Sequence, residues 1–178
     1  MSMSARYVKC RGCDFEGLIQ PRLIALEYYL PSGQIVEGNR RFAWCWTCEN
    51  IVEAEEPLDP VAIQAEIDGV EPKSTSIGGL FVRVVDRALG GGKQERIELE
   101  RLNAKLGLAK LRKSPPRCLT CSEPTVESLE FDRNAASTLV HSCGHRLFAV
   151  PEDPDTPRFH YRKEVISLDQ EGRRIEDQ

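Results

Sequence analysis

The sequence predicts a small α+β protein, with two β-rich units at residues 1–56 and 117–178 joined by a helical segment over residues 57–116. Three observations carry this expectation. Cysteine occurs in Cys-x-x-Cys pairs toward the two ends (Cys10/Cys13, Cys45/Cys48, Cys118/Cys121), and a single Cys143 lies between His141 and His145. Strand-forming runs and turn residues surround those cysteines. The stretch between the units instead repeats apolar residues at helical spacing. Each end unit would own about 40–60 residues, a size at which apolar burial alone is marginal.

In the first unit, Leu18 to Leu26 and Tyr28 to Leu30 are rich in strand formers. Pro31-Ser32-Gly33 supplies a turn, and Gln34-Ile35-Val36 returns as a strand. Phe42, Trp44 and Trp46 flank the second cysteine pair and are expected to form the small core beneath it. Acidic Glu53, Glu55 and Glu56 then run into Pro57, where the unit ends.

The middle segment opens with a helix start, Asp59 as N-cap and Pro60 at the first helical position. Ile63 and Ile67 share a face, and Gly69 is the expected stop. After a loop through Pro72 and Ser76, Leu80, Val84 and Ala88 share a helical face, while Phe81 to Val85 also suits a strand. Gly90-Gly91-Gly92 breaks the chain, and Lys93 to Arg112 is the clearest helix, with Leu99, Leu102, Leu106 and Ala109 three or four apart. Ser114-Pro115-Pro116 ends it. Each helix carries one apolar stripe that must be covered, by another part of the chain or by a second copy in a homodimer.

The second unit predicts strands at Val126 to Phe131, Ser137 to Val140 and Arg146 to Val150, around the turn His141-Ser142-Cys143-Gly144-His145. An acidic, proline-containing link from Pro151 to Pro157 leads to a strand at Phe159 to Leu168 and a turn at Asp169-Gln170-Glu171-Gly172.

Two residues between cysteines let the backbone fold into a knuckle that aims both sulfurs at one ion, with its amides turned toward the thiolates. Cys10, Cys13, Cys45 and Cys48 therefore predict one four-thiolate site; Cys118, Cys121 and Cys143 with His141 predict a second. His145 is the alternative fourth ligand, and His160 reads as a surface residue. Eight donors fill two tetrahedral sites with no cysteine left over, which points to two structural zinc ions. A disulfide framework would strand one of the seven thiols.

With these motifs the chain resembles the zinc-ribbon proteins, built on two rubredoxin-type knuckles, over residues 7–56 and 117–150. The resemblance implies fold and metal rather than one activity, since ribbons serve in transcription factors, ribosomal proteins, enzyme appendages and adapters. Glycine commonly follows the second cysteine of a knuckle; here Asp14, Glu49 and Ser122 stand there, and only Cys143 is followed by glycine. The first unit also resembles rubredoxin itself, with Tyr29, Pro31-Ser32-Gly33, Phe42 and Trp44 between its pairs. That likeness implies iron in the first site and electron transfer, although Trp46 replaces the proline of the rubredoxin second knuckle.

Catalytic patterns are missing. Gly90-Gly91-Gly92-Lys93 lacks a glycine at Arg87 and a hydroxyl residue at Gln94, so it is no phosphate loop. There is no His-x-Glu of the zinc deaminases and no Gly-x-Ser-x-Gly elbow. The net charge is −4, and only residues 58–114, with ten basic against eight acidic side chains, lean positive. Phosphate-led nucleic-acid binding normally needs a basic face. The expectation is thus a non-catalytic zinc-binding adapter that presents surfaces to protein partners. The runner-up is a nucleic-acid accessory factor using Arg40, Arg41, Trp44 and Trp46, or Lys110, Arg112 and Lys113. The opening MSMSARYVKC has no basic start followed by an apolar stretch, and no apolar run approaches a membrane span. A cytoplasmic location without a membrane partner is expected.

Overall fold

A computed structural model describes residues 3–4, 6–19, 22–70, 91–150, 158–159 and 163–175. The strands are β1 (Met3–Ser4), β2 (Arg6–Cys10), β3 (Glu16–Ile19), β4 (Ile24–Tyr29), β5 (Ile35–Gly38), β6 (Arg40–Cys45) and β7 (Asn50–Glu55), then β8 (Val126–Ser128), β9 (Ala136–Val140), β10 (Arg146–Ala149), β11 (Arg158–Phe159) and β12 (Glu164–Asp169). Two helices, α1 (Pro60–Val70) and α2 (Gly91–Leu111), complete the described elements. The readings made for residues 72–90 and for His160 fall outside the described residues.

The expected fold class, two ribbons joined by a helical segment, is overturned. Among the described residues the molecule is β-rich, and each of three larger sheets draws strands from both ends of the chain. Their orders are β3-β2-β10-β9, β12-β4-β5 and β7-β6-β8, with a small β1-β11 pair beside them. Cys10 lies opposite Leu147, Cys45 opposite Val126, and Leu26 opposite Ile166 in a parallel pairing. The physical reason lies in the edges. A hairpin of two strands is marginal in water, and its outer N–H and C=O groups need partners. Here the hairpins β2-β3, β4-β5 and β6-β7 each obtain a further strand from beyond residue 120.

The local readings fare better than the assembly. Asp59 Oδ1 accepts the Val61 amide at 2.9 Å, and α1 begins at Pro60. Ile63 and Ile67 of α1 pack on Leu102 and Leu106 of α2. Leu108, on another side of α2, is fully buried against Leu26, Tyr28, Val36, Ile166 and Leu168 of the β12-β4-β5 sheet. The turn after β4 forms as read, with Gly33 at φ 82° and its amide donating to the Leu30 carbonyl at 2.9 Å. The predicted Leu18–Leu26 run is broken, because β3 ends at Ile19 and β4 starts at Ile24.

One buried ion pair ties these layers together. Glu55 has no exposed surface. It accepts two bonds from the Arg112 guanidinium (2.8 and 2.6 Å), one from the Tyr28 hydroxyl (2.6 Å) and one from the Arg117 amide (2.6 Å). Burial, followed by the Glu55 charge, pushes the Tyr28 pKa well up, so the phenol stays protonated and donates. Gly172, at φ 74°, lies so close that a Cβ there would stand 2.5 Å from both Arg112 and Glu55.

Candidate metal centres

The seven cysteines gather in two clusters, but not by the expected grouping. Cys10 and Cys13 stand with His141 and Cys143; Cys45 and Cys48 stand with Cys118 and Cys121. The predicted four-thiolate set of Cys10, Cys13, Cys45 and Cys48 does not assemble, and neither does Cys118, Cys121 and Cys143 with His141. The reason is the strand pairing. β2 delivers Cys10 beside β10, whose preceding turn carries Cys143, while β6 delivers Cys45 beside β8 and the segment that bonds to β7. A Cys-x-x-Cys pair fixes its own geometry and says nothing of which second pair will meet it.

The central cluster joins two knuckles. The Cys48 amide lies 3.4 Å from Cys45 Sγ, and the Thr120 and Cys121 amides lie 3.3 and 3.4 Å from Cys118 Sγ. Across the knuckles, Cys45 and Cys121 sulfurs are 3.6 Å apart and Cys48 and Cys118 sulfurs 3.9 Å. A tetrahedral ion with sulfurs at 2.3 Å requires sulfur–sulfur edges of about 3.8 Å, so this set fits. Glu49 and Ser122, the residues after the second cysteines, take φ of 48° and 64°. Left-handed backbone thus occurs at these knuckles without glycine, at a cost of about 1–2 kcal/mol per residue.

The other cluster is built by one knuckle and one turn. The Gly12 amide lies 3.4 Å from Cys10 Sγ. His141 to His145 closes a tight turn, with the Gly144 amide donating to the His141 carbonyl, the His141 amide to the His145 carbonyl, and Gly144 at φ 83°. His141 Nδ1 is 3.5 Å from Cys13 Sγ and 3.2 Å from Cys143 Sγ. A tetrahedral S₃N site asks for sulfur–nitrogen edges of about 3.5 Å. His141 is buried (8% exposed), and its ring sits 5.1 Å, centroid to centroid, from both Phe15 and Trp44. His145 is exposed, with Nδ1 3.8 Å from Cys143 Sγ, and packs over Gly12. Of the two histidines weighed from the sequence, His141 is the one inside the four-donor cluster.

Electrostatics show why such clusters suit a cation. Burial opposes the Cys10 thiolate, but the Gly12 amide and the Cys143 and Cys13 sulfurs hold its pKa below the usual thiol range. Burial likewise opposes Cys45, whose pKa is lowered by the Cys48 amide and the Cys121 and Cys48 sulfurs. Cys48 and Cys118 move upward, chiefly through burial and then through neighbouring sulfurs. Crowded thiols cannot all ionise on their own; a dication at the centre removes that conflict. Both clusters could hold a metal ion.

Several of the residues named for nucleic acid are engaged within the fold. Trp44 is buried, Arg112 is bound to Glu55, and Arg40 is bonded to Glu53. Trp46 remains exposed, its indole N–H donating to Glu127 at 3.3 Å. Sequence reasoning missed Phe15 and Gly12, which pack on His141 and His145; their only signal was their place inside and just after the first knuckle. No helix among the described residues is long and apolar enough to cross a membrane. No protein-family model, no curated protein and no solved structure matches the chain.

Proposed function

We propose that the protein is a non-catalytic zinc-binding adapter, in which two structural zinc ions fix a small β-rich scaffold that protein partners engage. One observation supports this reading above others: each cluster gathers four donor atoms, all within 4.8 Å of one another, so neither needs water to complete a tetrahedral shell. Catalytic zinc usually keeps three protein ligands and an open place. The proposed ligands are Cys10, Cys13, His141 and Cys143 for one ion, and Cys45, Cys48, Cys118 and Cys121 for the other. Zinc here supplies folding energy and holds the strands that bear the interaction surfaces. No step of chemistry is assigned to it.

Native mass spectrometry with elemental analysis tests this reading. The expected result is a colourless chain carrying two zinc ions and unfolding when they are chelated. A red, iron-containing chain, or a folded chain free of ions, contradicts it. A salt-dependent shift with oligonucleotides at low ionic strength would move the reading to the nucleic-acid class.

A further inference from the structure

The two clusters share their knuckle chemistry but not their exposure. In the central cluster Cys45 and Cys118 are buried, and Cys48 and Cys121 are half-buried. In the other, Cys10 is buried and Cys13 half-buried, while Cys143 is exposed at the tip of the His141–His145 turn. Its sulfur stands 3.3 Å from Cys10 Sγ, nearer than either cross-knuckle pair of the central cluster at 3.6 and 3.9 Å.

We propose that Cys143 and Cys10 form an oxidation site, at which a peroxide converts the thiolate pair to a disulfide and expels the ion. This inference rests on the zinc reading above. The Cys143 thiolate attacks one peroxide oxygen, the O–O bond breaks, and a sulfenic acid forms as the leaving oxygen departs as water after taking up a proton. The Cys10 thiolate then attacks the Cys143 sulfur, an S–S bond forms, and the sulfenic oxygen leaves as a second water on protonation. Two thiolates lose two electrons in all; the peroxide gains them with two protons. Cys13 and His141 alone no longer complete a tetrahedron, so the ion is lost.

Three features favour this pair. Exposure lets peroxide meet Cys143 before any sulfur of the central cluster. The resolving thiolate of Cys10 is already in contact with Cys143 and shielded from solvent, so the sulfenic acid is captured before further oxidation. The new bond also joins the segments that the ion joined. β2 and β10 are paired beside it, with Cys10 opposite Leu147, so the sheet retains a cross-link after the ion departs. A dithiol reductant reverses the bond and restores the ligands.

The experiment uses the full chain loaded with zinc, its ion content measured before and after hydrogen peroxide, with peptide mapping of disulfides. The expected result is loss of one of the two ions and a Cys10–Cys143 cross-link, with Cys45, Cys48, Cys118 and Cys121 still reduced. Returning the oxidised chain to a dithiol reductant with zinc should remove the cross-link and restore the lost ion. Release of both ions together, first loss from the central cluster, a different cysteine pairing, or retention of both ions overturns the proposal and leaves the zinc reading standing. A chain without ions before peroxide is added overturns both.

Discussion

At the scale of single residues, the sharpest demands come from groups that cannot change alone. Glu55 is fully buried and answers three partners, and the Arg112 guanidinium is buried with it. Replacing one member of such a pair strands the other charge, at a cost of about 3–5 kcal/mol. Glu55→Ala is therefore expected to lower the unfolding free energy by that amount, measured by urea unfolding of the metal-loaded chain; a change under about 1 kcal/mol would show that Arg112 finds another partner. The histidines separate just as clearly. His141→Ala should cost the chain one bound ion, whereas His145→Ala should leave both, read by native mass spectrometry. His141 was legible as a candidate because a histidine two residues before a cysteine can share its ion. The sequence favours His141 over His145 because it stands at the end of the strand that leads into Cys143, although both flank that cysteine symmetrically. The fold places His141 in the donor cluster, with Phe15 and Trp44 packed on its ring, and leaves His145 exposed.

At the scale of elements, local patterns translated well and partnerships did not. The Asp59-Pro60 start, the Leu102/Leu106 stripe and the Gly33 turn are each set by residues a few positions apart, and each forms. The knuckles are local too, down to the amides that approach their sulfurs. Which knuckle meets which is a question of strand pairing over more than sixty positions, as between Cys48 and Cys118, 70 apart. No periodicity records it. The grouping has a direct consequence. Cys45→Ser should empty the central site, so Cys118 and Cys121 become open to alkylation while Cys10, Cys13 and Cys143 stay protected, as followed by mass mapping. Exposure of Cys10 and Cys13 instead, with Cys118 and Cys121 protected, would favour the pairing first read from the sequence.

At the scale of the whole molecule, the chain folds back on itself so that sheets and candidate metal centres alike bind its two ends together. β12 completes the β12-β4-β5 sheet, β10 joins β2, and the two clusters lie across the same seams. On the proposed zinc reading, ion binding of about 10–16 kcal/mol per structural site would act across these long chain separations. It also predicts that metal removal loosens the assembly as a whole rather than one end of it. The most direct measurement is a cysteine–cadmium correlation spectrum of the ¹¹³Cd-substituted chain, in which each metal signal couples only to the β-protons of its own ligands. The account predicts two signals, one coupled to Cys45, Cys48, Cys118 and Cys121, the other to Cys10, Cys13 and Cys143. A signal shared by Cys10, Cys13, Cys45 and Cys48 would contradict it.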